Sequence, residues 1–321
     1  MPKPHVPRRA SMQFWPRKRA SRAYARVRSW SGHVKDCKPL GFAGYKVGMT
    51  HLLIKSTRPN SMTQGESIFR PVTIIECPPL KVAAIKFYKR TAYGLKAVNQ
   101  ILAKNFDKNL KRKILIPKKE SNQKEPESYD ELRLLVYTQP GLTGIGKKKP
   151  ELFETAIGGT KEEQLVYAKE KLGKEIIATE ILKSGQLVDA HSITKGKGLQ
   201  GVVKRFGVSL KSHKSEKKKR ATGNLGPWNQ SSMWRVAQPG QMGYHLRTEY
   251  NKLIIKISDK PEGINPKSGF KYYGLVKNSY ILVKGSIQGS SKRLIRLNYA
   301  IRPHKRKHSE TFEIEHINTQ K

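Results

Sequence analysis

The chain has 321 residues and carries 64 Lys and Arg against 24 Asp and Glu, a formal net charge of +40. At this length one or two lobes are expected, and so much positive charge would repel itself in a compact protein without a polyanionic partner. No apolar run reaches the length of a membrane span, and no apolar segment of secretory type follows the start. The two cysteines, Cys37 and Cys77, are too few for a disulfide framework or a zinc site. We therefore expect an intracellular nucleic-acid partner.

The first forty residues are strongly basic. Residues 1–40 hold eleven Lys and Arg against the single acid Asp36, and they show no apolar periodicity. Such a stretch cannot bury a core, so it is predicted to be an extended basic arm. Residues 195–220 and 292–307 are also basic, whereas residues 120–180 carry twelve of the 24 acids. We expect the three basic segments to face the polyanion and the acidic segment to face solvent.

Seven short segments, each rich in β-branched and aromatic residues, are predicted to be strands. They are Gly41–Lys55, Pro71–Glu76, Leu80–Lys89, Leu132–Thr138, Gln186–Thr194, Lys252–Ile257 and Ser279–Lys284. Short dispersed strands next to Gly or Pro are typical of barrels and sandwiches, so the fold class is predicted to be mainly β.

One helix is predicted in the acidic segment. Thr160 and Glu163 form a capping box at its start, and Gly173 ends it. Since this helix interrupts the series of strands, we predict a small solvent-facing α/β lobe over residues 101–180, inserted into a β core.

Two strings resemble phosphate-binding loops. The glycines of GKGLQG (196–201) have the spacing of a dinucleotide fingerprint, but lysines follow instead of an apolar helix face, and the only acid near the required distance is Glu216. The string GLTGIGKK (141–148) is close to a Walker A loop, but Lys148 stands where magnesium needs a hydroxyl group. We interpret the first string as a glycine turn near backbone phosphates and the second as a flexible basic loop. No catalytic residue, metal site or cofactor is predicted.

Residues 211–251 combine a basic block, several glycines and two tryptophans. Exposed aromatic and cationic side chains with glycine joints suit a structured RNA, because rings stack on splayed bases and glycines let the backbone approach phosphates. The alternative is that Trp228 and Trp234 are core residues. The neighbours of Trp228 are Pro227 and Asn229, which favours the RNA contact.

Several long motifs are shared with one protein family. They are the opening PKPHVPRRASMQFWPRKRA, GFAGYKVGMT at Gly41–Thr50, GQLVD at Gly185–Asp189, TKGKG at Thr194–Gly198, QGV at 200–202, KRFG at Lys204–Gly207, Trp228, GQMGYH at Gly240–His245, and Arg247–Thr248. Through these motifs most of the chain resembles the ribosomal protein L3 family of the large ribosomal subunit, in its archaeal or eukaryotic form.

The resemblance implies a β-barrel core of the kind found in translation factors, a basic N-terminal arm and a long central loop called the tryptophan finger. It also implies that arm and loop run through rRNA, with Trp228 matching the fingertip near the peptidyl transferase centre. Asn229–Gln230 stand where the family commonly has His-Pro. His213 resembles a histidine that is methylated in some eukaryotic members, but its lysine-rich surroundings differ and no modification is carried over.

The expected division of the chain combines the composition with this resemblance. It consists of an arm at 1–40, a β-barrel core at 41–100 and 181–290 interrupted by the finger at about 208–245, the α/β lobe at 101–180 and a basic C-terminal tail at 291–321.

The expected rRNA-contacting residues are cations and polar side chains of the arm, the glycine turn and the loop. They are Arg8, Arg9, Arg17, Lys18, Arg19, Lys195, Lys197, Lys204, Arg205, Lys211, His213, Lys214, Lys217, Lys218, Lys219, Arg220, Arg235, Tyr244, His245 and Arg247. The expected finger residues near the peptidyl transferase centre are Trp228, Asn229 and Trp234. The glycines expected to let the backbone approach RNA are Gly196, Gly198, Gly201, Gly240 and Gly243.

The sequence therefore predicts a non-enzymatic structural component of the cytoplasmic ribosome. Its expected partners are large-subunit rRNA and neighbouring ribosomal proteins, with no membrane and no small-molecule substrate. One alternative is an RNA-modifying enzyme, which would need a cofactor loop or a perturbed acid/base pair. Another is a chromatin-type compacting protein, which would need neither a glycine-rich finger nor an acidic lobe.

Overall fold

The structure, a computed structural model, describes residues 14–57, 61–117, 125–215, 218–225, 236–303 and 313–319. The strands in these ranges are β1 (Gly41–Lys55), β2 (Ser67–Glu76), β3 (Leu80–Thr91), β4 (Gly94–Leu102), β5 (Glu131–Tyr137), β6 (Leu152–Ala156), β7 (Glu175–Ile176), β8 (Leu187–Ile193), β9 (Gly196–Gln200), β10 (Gly240–Gly243), β11 (Leu246–Ser258), β12 (Tyr280–Lys284), β13 (Leu294–Tyr299) and β14 (Glu313–Ile317). The helices are α1 (Lys161–Lys171), α2 (Ala178–Ile181) and α3 (Val202–Phe206), with 3₁₀ turns at Lys108–Arg112 and Pro140–Leu142. Strands dominate, so the mainly β prediction is confirmed, and each of the seven predicted strands is present.

The chain divides into two compact units. The first, which we call the basic unit, consists of Met1–Arg22 and Ile193–Leu246. The second, the sheet unit, consists of Ala23–Ser192 and Arg247–Lys321. Within the described residues, no helix is long and apolar enough to cross a membrane.

The first sheet has seven strands in the order β13-β8-β11-β12-β2-β1-β14, and β13 also pairs with β1. Six strands are therefore joined in a cycle, which is the pairing pattern of a closed sheet. The long strand β1 closes the cycle, because Gly41–Tyr45 pairs with β13 while Tyr45–Lys55 pairs with β2. Its end, Leu52–Lys55, also pairs with β14, which lies outside the cycle. Gly44 must be glycine here, since a Cβ would lie 2.6 Å from the Glu76 carbonyl oxygen on β2.

The second sheet has the order β4-β3-β5-β6, and β7 pairs with β3. It begins at Leu80, inside the range predicted for the barrel core, so the boundary near residue 100 differs from the prediction. The two sheets also share one hydrophobic core, in which Phe42 and Tyr45 of β1 lie in the same cluster as Ile85 and Leu134. Residues 101–180 therefore complete a sheet that β3 and β4 begin, and a second small cluster, in which Leu110 and Tyr137 pack with Ala83 of β3, lies beside the shared core.

Helix α1 agrees with its prediction. Thr160 is the N-cap, and its side chain and that of Glu163 form the reciprocal bonds of a capping box. Gly173 follows the helix with φ of +77°, a left-handed conformation that glycine adopts freely. The helix turns the buried Ala168 toward the core of the sheet unit.

Residues 23–40 differ from the predicted arm. Ala25 and Val27 are buried, and Trp30 packs against the core of the sheet unit. Exposed Arg26 and Arg28 alternate with the two buried residues. The sequence therefore does contain a period-two pattern here, but two residues on each face are too few to stand out among so many cations.

Residues 294–299 differ from the predicted basic tail, because they form β13 within the first sheet. Arg296 is only 3% exposed. Its guanidinium donates to the Glu154 carbonyl oxygen at 2.6 Å and lies 4.4 Å from the ring centroid of Phe153. Burial lowers its pKa to about 9. Arg296 is thus a core residue and cannot face a polyanion, in contrast to the expectation for residues 292–307.

Two acids of the acidic segment also differ from the expected solvent-facing role. Glu151 is buried and accepts hydrogen bonds from the hydroxyl groups of Tyr45, at 2.8 Å, and Thr138, at 3.1 Å. Glu154 accepts from the Lys86 ammonium at 2.9 Å and the Tyr88 hydroxyl at 2.8 Å. These carboxylates connect strands within the sheet unit, because buried charges need partners.

Candidate nucleic-acid interface

The basic unit is almost free of acids. Its two segments hold eighteen Lys and Arg, and the only acid is Glu216. The ion pairs found between described residues lie in the sheet unit, from Lys38–Asp36 to Lys252–Glu249. Among the described residues, the cations of the basic unit thus have no ion pair with a carboxylate, as is typical of a surface that binds a polyanion.

Strands β9 and β10 form a two-stranded antiparallel ribbon at the centre of the basic unit. Its register pairs Gly240 with Gln200 and Gly243 with Gly196. The ribbon holds the two ends of the intervening loop, residues 201–239, side by side. Lys195, directly before β9, and Lys197, within it, are both exposed.

Two glycines of the ribbon closely approach other atoms of the protein itself, one a backbone carbonyl and the other a side chain. A Cβ on Gly243 would lie 2.1 Å from the Lys195 carbonyl oxygen, and one on Gly240 would lie 2.7 Å from the Arg205 guanidinium. By contrast, Gly198 and Gly201 have open space around them. Close approach to RNA therefore stays a prediction for Gly198 and Gly201, while Gly243 is explained by the approach of its backbone to that of Lys195.

Arg205 of α3 connects three parts of the basic unit. Its guanidinium donates to the carbonyl oxygens of Gln241 at 3.1 Å, Gln238 at 2.8 Å and Arg17 at 3.3 Å. Burial, together with the charge of Arg17, lowers its pKa. The ring centroid of Phe206 lies close to both guanidinium groups, 4.4 Å from that of Arg17 and 5.1 Å from that of Arg205. Three of the five N–H donors of Arg205 are thus used within the protein, so its main role is to hold the arm to the loop.

The arm is fixed to the turn after β10 by backbone contacts. The Ala20 amide donates to the Tyr244 carbonyl oxygen at 2.9 Å, and His245 Nδ1 lies 2.9 Å from the Lys18 carbonyl oxygen. The Arg19 guanidinium lies 5.3 Å from the ring centroid of Tyr244. Both Tyr244 and His245 were predicted to contact RNA, and in the structure they position the arm. No sequence signal could have shown this, because more than 220 residues separate the partners.

The basic block before the finger folds back on itself. The Lys211 amide donates to the Lys219 carbonyl oxygen at 3.1 Å, and the Ala221 amide donates to Lys218 at 3.3 Å. An open cleft of about 530 Å³ lies beside this turn, with Gly201, Val202, Lys218, Lys219, Arg220, Ala221, Thr222, Gln238 and Pro239 as its lining. Three adjacent cations on one wall give the cleft the charge expected for a phosphate backbone.

The remaining predicted site residues fall into three groups. The exposed ones are Lys18, Arg19, Lys195, Lys197, Lys204, Lys211, His213, Lys214, Lys218, Lys219 and Arg220. Arg247 lies in the sheet unit, where its carbonyl oxygen accepts from Gln288 at 2.9 Å. Arg8, Arg9, Lys217, Trp228, Asn229, Trp234 and Arg235 lie outside the described residues.

The two phosphate-loop strings form other structures. After GKGLQG comes α3, a helix of five residues whose Val202 and Phe206 are buried. In the Walker-like string, Lys147 forms an ion pair with Glu151. Among the residues that the structure describes, no three His, Cys, Asp or Glu side chains come together in a way that could hold a metal ion.

Comparison with known proteins gives a consistent result. The sequence model of the family described as ribosomal protein L3 matches residues 1–321. The chain is 48% identical to the large ribosomal subunit protein uL3 of Methanobrevibacter smithii, over 98% of this chain and 97% of the relative. It is 46% identical to the uL3 protein of Archaeoglobus fulgidus, with the same coverage, and 45% identical to that of Methanothermobacter thermautotrophicus, over 99% and 98%.

Proposed function

The chain belongs to the ribosomal protein L3 family and is a structural constituent of the large ribosomal subunit, and from this premise we propose that its basic unit binds large-subunit rRNA directly. The observation that carries this proposal is the charge of that unit, with eighteen Lys and Arg, one acid and no ion pair between its described residues. Contacts from Lys and Arg to phosphates supply affinity and fix the position of a protein on RNA.

The architecture of the basic unit supports a preformed RNA surface. Arg205 and the turn at Tyr244 hold the arm and the ends of the loop together, so the exposed cations Lys18 and Lys197 belong to one folded unit. A preformed surface loses less conformational entropy on binding than separate flexible segments would.

The loop between the two strands of the ribbon would extend this surface. We propose that residues 201–239 run along rRNA toward the peptidyl transferase centre, with Trp228, Asn229 and Trp234 near the tip. This proposal rests on the match of these residues to the finger of the family. Flat rings at such a tip would stack on bases, at about 1–3 kcal/mol per stack.

The other partners in this proposal are neighbouring ribosomal proteins. The contribution would be to subunit assembly and local RNA structure, with no catalytic step, cofactor or small-molecule substrate. The competing RNA-modifying and chromatin-type roles gain no support from the site, where the glycine turn leads into a five-residue helix and three cations are among the residues that line a cleft.

Salt-dependent binding tests the proposal. Full-length protein would be titrated onto purified large-subunit rRNA at a series of salt concentrations. A variant with Lys218→Gln, Lys219→Gln and Arg220→Gln should flatten the slope of log affinity against log salt by about two to three, because each phosphate contact contributes about 0.7–0.9.

A matched control removes the same charge from α1 and the turn after it, in the acid-rich segment. It carries Lys161→Gln, Lys169→Gln and Lys174→Gln, and it should keep the wild-type slope. A wild-type slope near zero, or equal slopes in the two variants, would contradict the proposed role of the basic unit.

A further inference from the structure

The hairpin of β3 and β4 continues beyond the second sheet. Pairing between β3 and β5 ends with Tyr88 opposite Glu131. Pairing between β3 and β4 continues through Lys89 opposite Lys96 to Thr91 opposite Gly94. Among the described strands, no third strand pairs with the last part of the hairpin, which is therefore a ribbon of two strands.

This projecting hairpin, residues 89–98, is exposed along its whole length. Tyr93 at its tip is fully exposed, at 103% of the reference value. The Thr91 hydroxyl donates to the Gly94 carbonyl oxygen at 2.8 Å and closes the turn, where Gly94 has φ of +116°. A two-stranded hairpin alone is only marginally stable in water, so a defined hairpin with a bare aromatic tip suits a contact surface.

The charge of the projecting hairpin points to the chemistry of the partner. Residues 89–98 include three cations and no acid. Lys89 and Lys96 lie directly opposite each other, an arrangement that is unfavourable unless a negative group lies between the two ammonium groups. Asp130 accepts a hydrogen bond from the backbone amide of Arg90 at 2.7 Å, and no ion pair between described residues includes these three cations.

We infer that the projecting hairpin is a second RNA contact, on the sheet unit, in which Tyr93 stacks on an unpaired base while Lys89, Arg90 and Lys96 bind the flanking phosphates. This inference rests on the rRNA-binding function proposed above. The exposed apolar side chains of Leu95 and Val98 would also suit a protein surface. The opposed lysines favour RNA, because a phosphate backbone carries a regular series of negative charges that can lie between the two ammonium groups.

Binding to purified large-subunit rRNA tests the inference in solution. Tyr93→Ala should weaken the affinity by about five- to 150-fold, which is the effect of losing one stacked base. The triple variant Lys89→Gln, Arg90→Gln and Lys96→Gln should flatten the salt slope by about two to three. The α1 control variant described above removes the same charge and should keep the wild-type slope.

The two proposals can fail separately in this experiment. A shallow wild-type slope would contradict the proposed function itself. A steep wild-type slope that neither hairpin variant changes would overturn the inference about the hairpin alone. Since Tyr93 touches no core residue, Tyr93→Ala should melt like the wild type and stays informative even if the triple variant folds poorly.

Crosslinking in assembled subunits identifies the class of partner. A photoreactive phenylalanine derivative at position 93 would be incorporated, the subunits purified, and the crosslinked products separated into RNA and protein. The inference predicts a crosslink to rRNA. A crosslink to a ribosomal protein, or no crosslink from subunits that contain the variant, would overturn it.

Discussion

The backbones of Gly243 and Lys195 approach so closely that a Cβ on Gly243 would lie 2.1 Å from the Lys195 carbonyl oxygen. Gly243 also has φ of +72°, in the left-handed region that side chains with a Cβ rarely adopt. The β9–β10 ribbon therefore depends on glycine at this position for two independent reasons.

Replacing this glycine should open the ribbon. Gly243→Ala should destabilise the ribbon by about 1–3 kcal/mol, because it adds both a clash and backbone strain. Hydrogen exchange of the Tyr244 amide, which donates to Lys195 at 3.2 Å, should become faster. Gly201→Ala is the control, because Gly201 has open space around it. Equal exchange rates in the two variants would show that the ribbon tolerates a side chain at 243.

Arg205 and its neighbour Lys204 should have separable roles. Arg205→Gln removes three bonds to carbonyl oxygens, so limited proteolysis should cut residues 14–22 faster than in the wild type. Lys204→Gln removes an exposed cation and should leave proteolysis unchanged while lowering the salt slope of rRNA binding by about 0.7–0.9. Unchanged proteolysis of Arg205→Gln would mean that the arm is held by other contacts.

His191 should make the sheet unit sensitive to acid. Burial, with a smaller contribution from the charge of Arg296, lowers its pKa from 6.5 to about 4. The folded state binds a proton at His191 more weakly than the unfolded state does. Protonation of His191 therefore leaves the free energy of unfolding unchanged above pH 6.5 and lowers it progressively as the pH drops toward 4. The loss between pH 7.5 and pH 5 should be about 2 kcal/mol.

Denaturant unfolding of the free protein at the two pH values measures this loss. His191→Gln keeps a polar group near the Thr248 hydroxyl, which lies 2.9 Å from His191 Nδ1, but does not titrate. The variant should therefore lose clearly less stability between pH 7.5 and pH 5. An equal loss in both proteins would assign the acid sensitivity to other groups.

The two tryptophans Trp30 and Trp228 should respond in opposite ways to alanine substitution. Trp30 is partly buried against the core, 5.5 Å from the Arg296 guanidinium, so Trp30→Ala should destabilise the free protein by about 3 kcal/mol, the low end of the range for a core Trp. Trp228→Ala should leave the melting temperature almost unchanged and should reduce peptidyl transfer by ribosomes that carry it. A loss of several kcal/mol in free Trp228→Ala would make Trp228 a core residue.

The strands of the sheet unit could be predicted from the sequence where apolar residues alternate with polar ones or form a continuous run. Gly41–Lys55 was predicted with the bounds that β1 has, because its apolar residues are framed by Gly and Pro. Gly94–Leu102 was missed, because β4 is exposed over most of its length and its sequence, GLKAVNQIL, shows no two-residue period.

The remaining differences between the prediction and the structure concern the roles of individual cations. Arg296 and Arg205 look like RNA-binding residues in the sequence, yet one is buried in the sheet unit and the other bonds to carbonyl oxygens. A guanidinium can satisfy backbone carbonyls as well as phosphates, so residue type alone does not separate these roles. Only contacts between distant segments, such as Arg205 with Arg17, make the distinction.

The bond from Ala20 to Tyr244 sets an order of events during synthesis. At about 5–20 residues per second, roughly 11 to 45 s pass between the emergence of residue 20 and that of residue 244. During that interval the arm has no docking site and carries its full positive charge. A nascent chain of this design therefore leaves the cations near its start without their contacts to the turn at Tyr244 until about three quarters of the chain has been made.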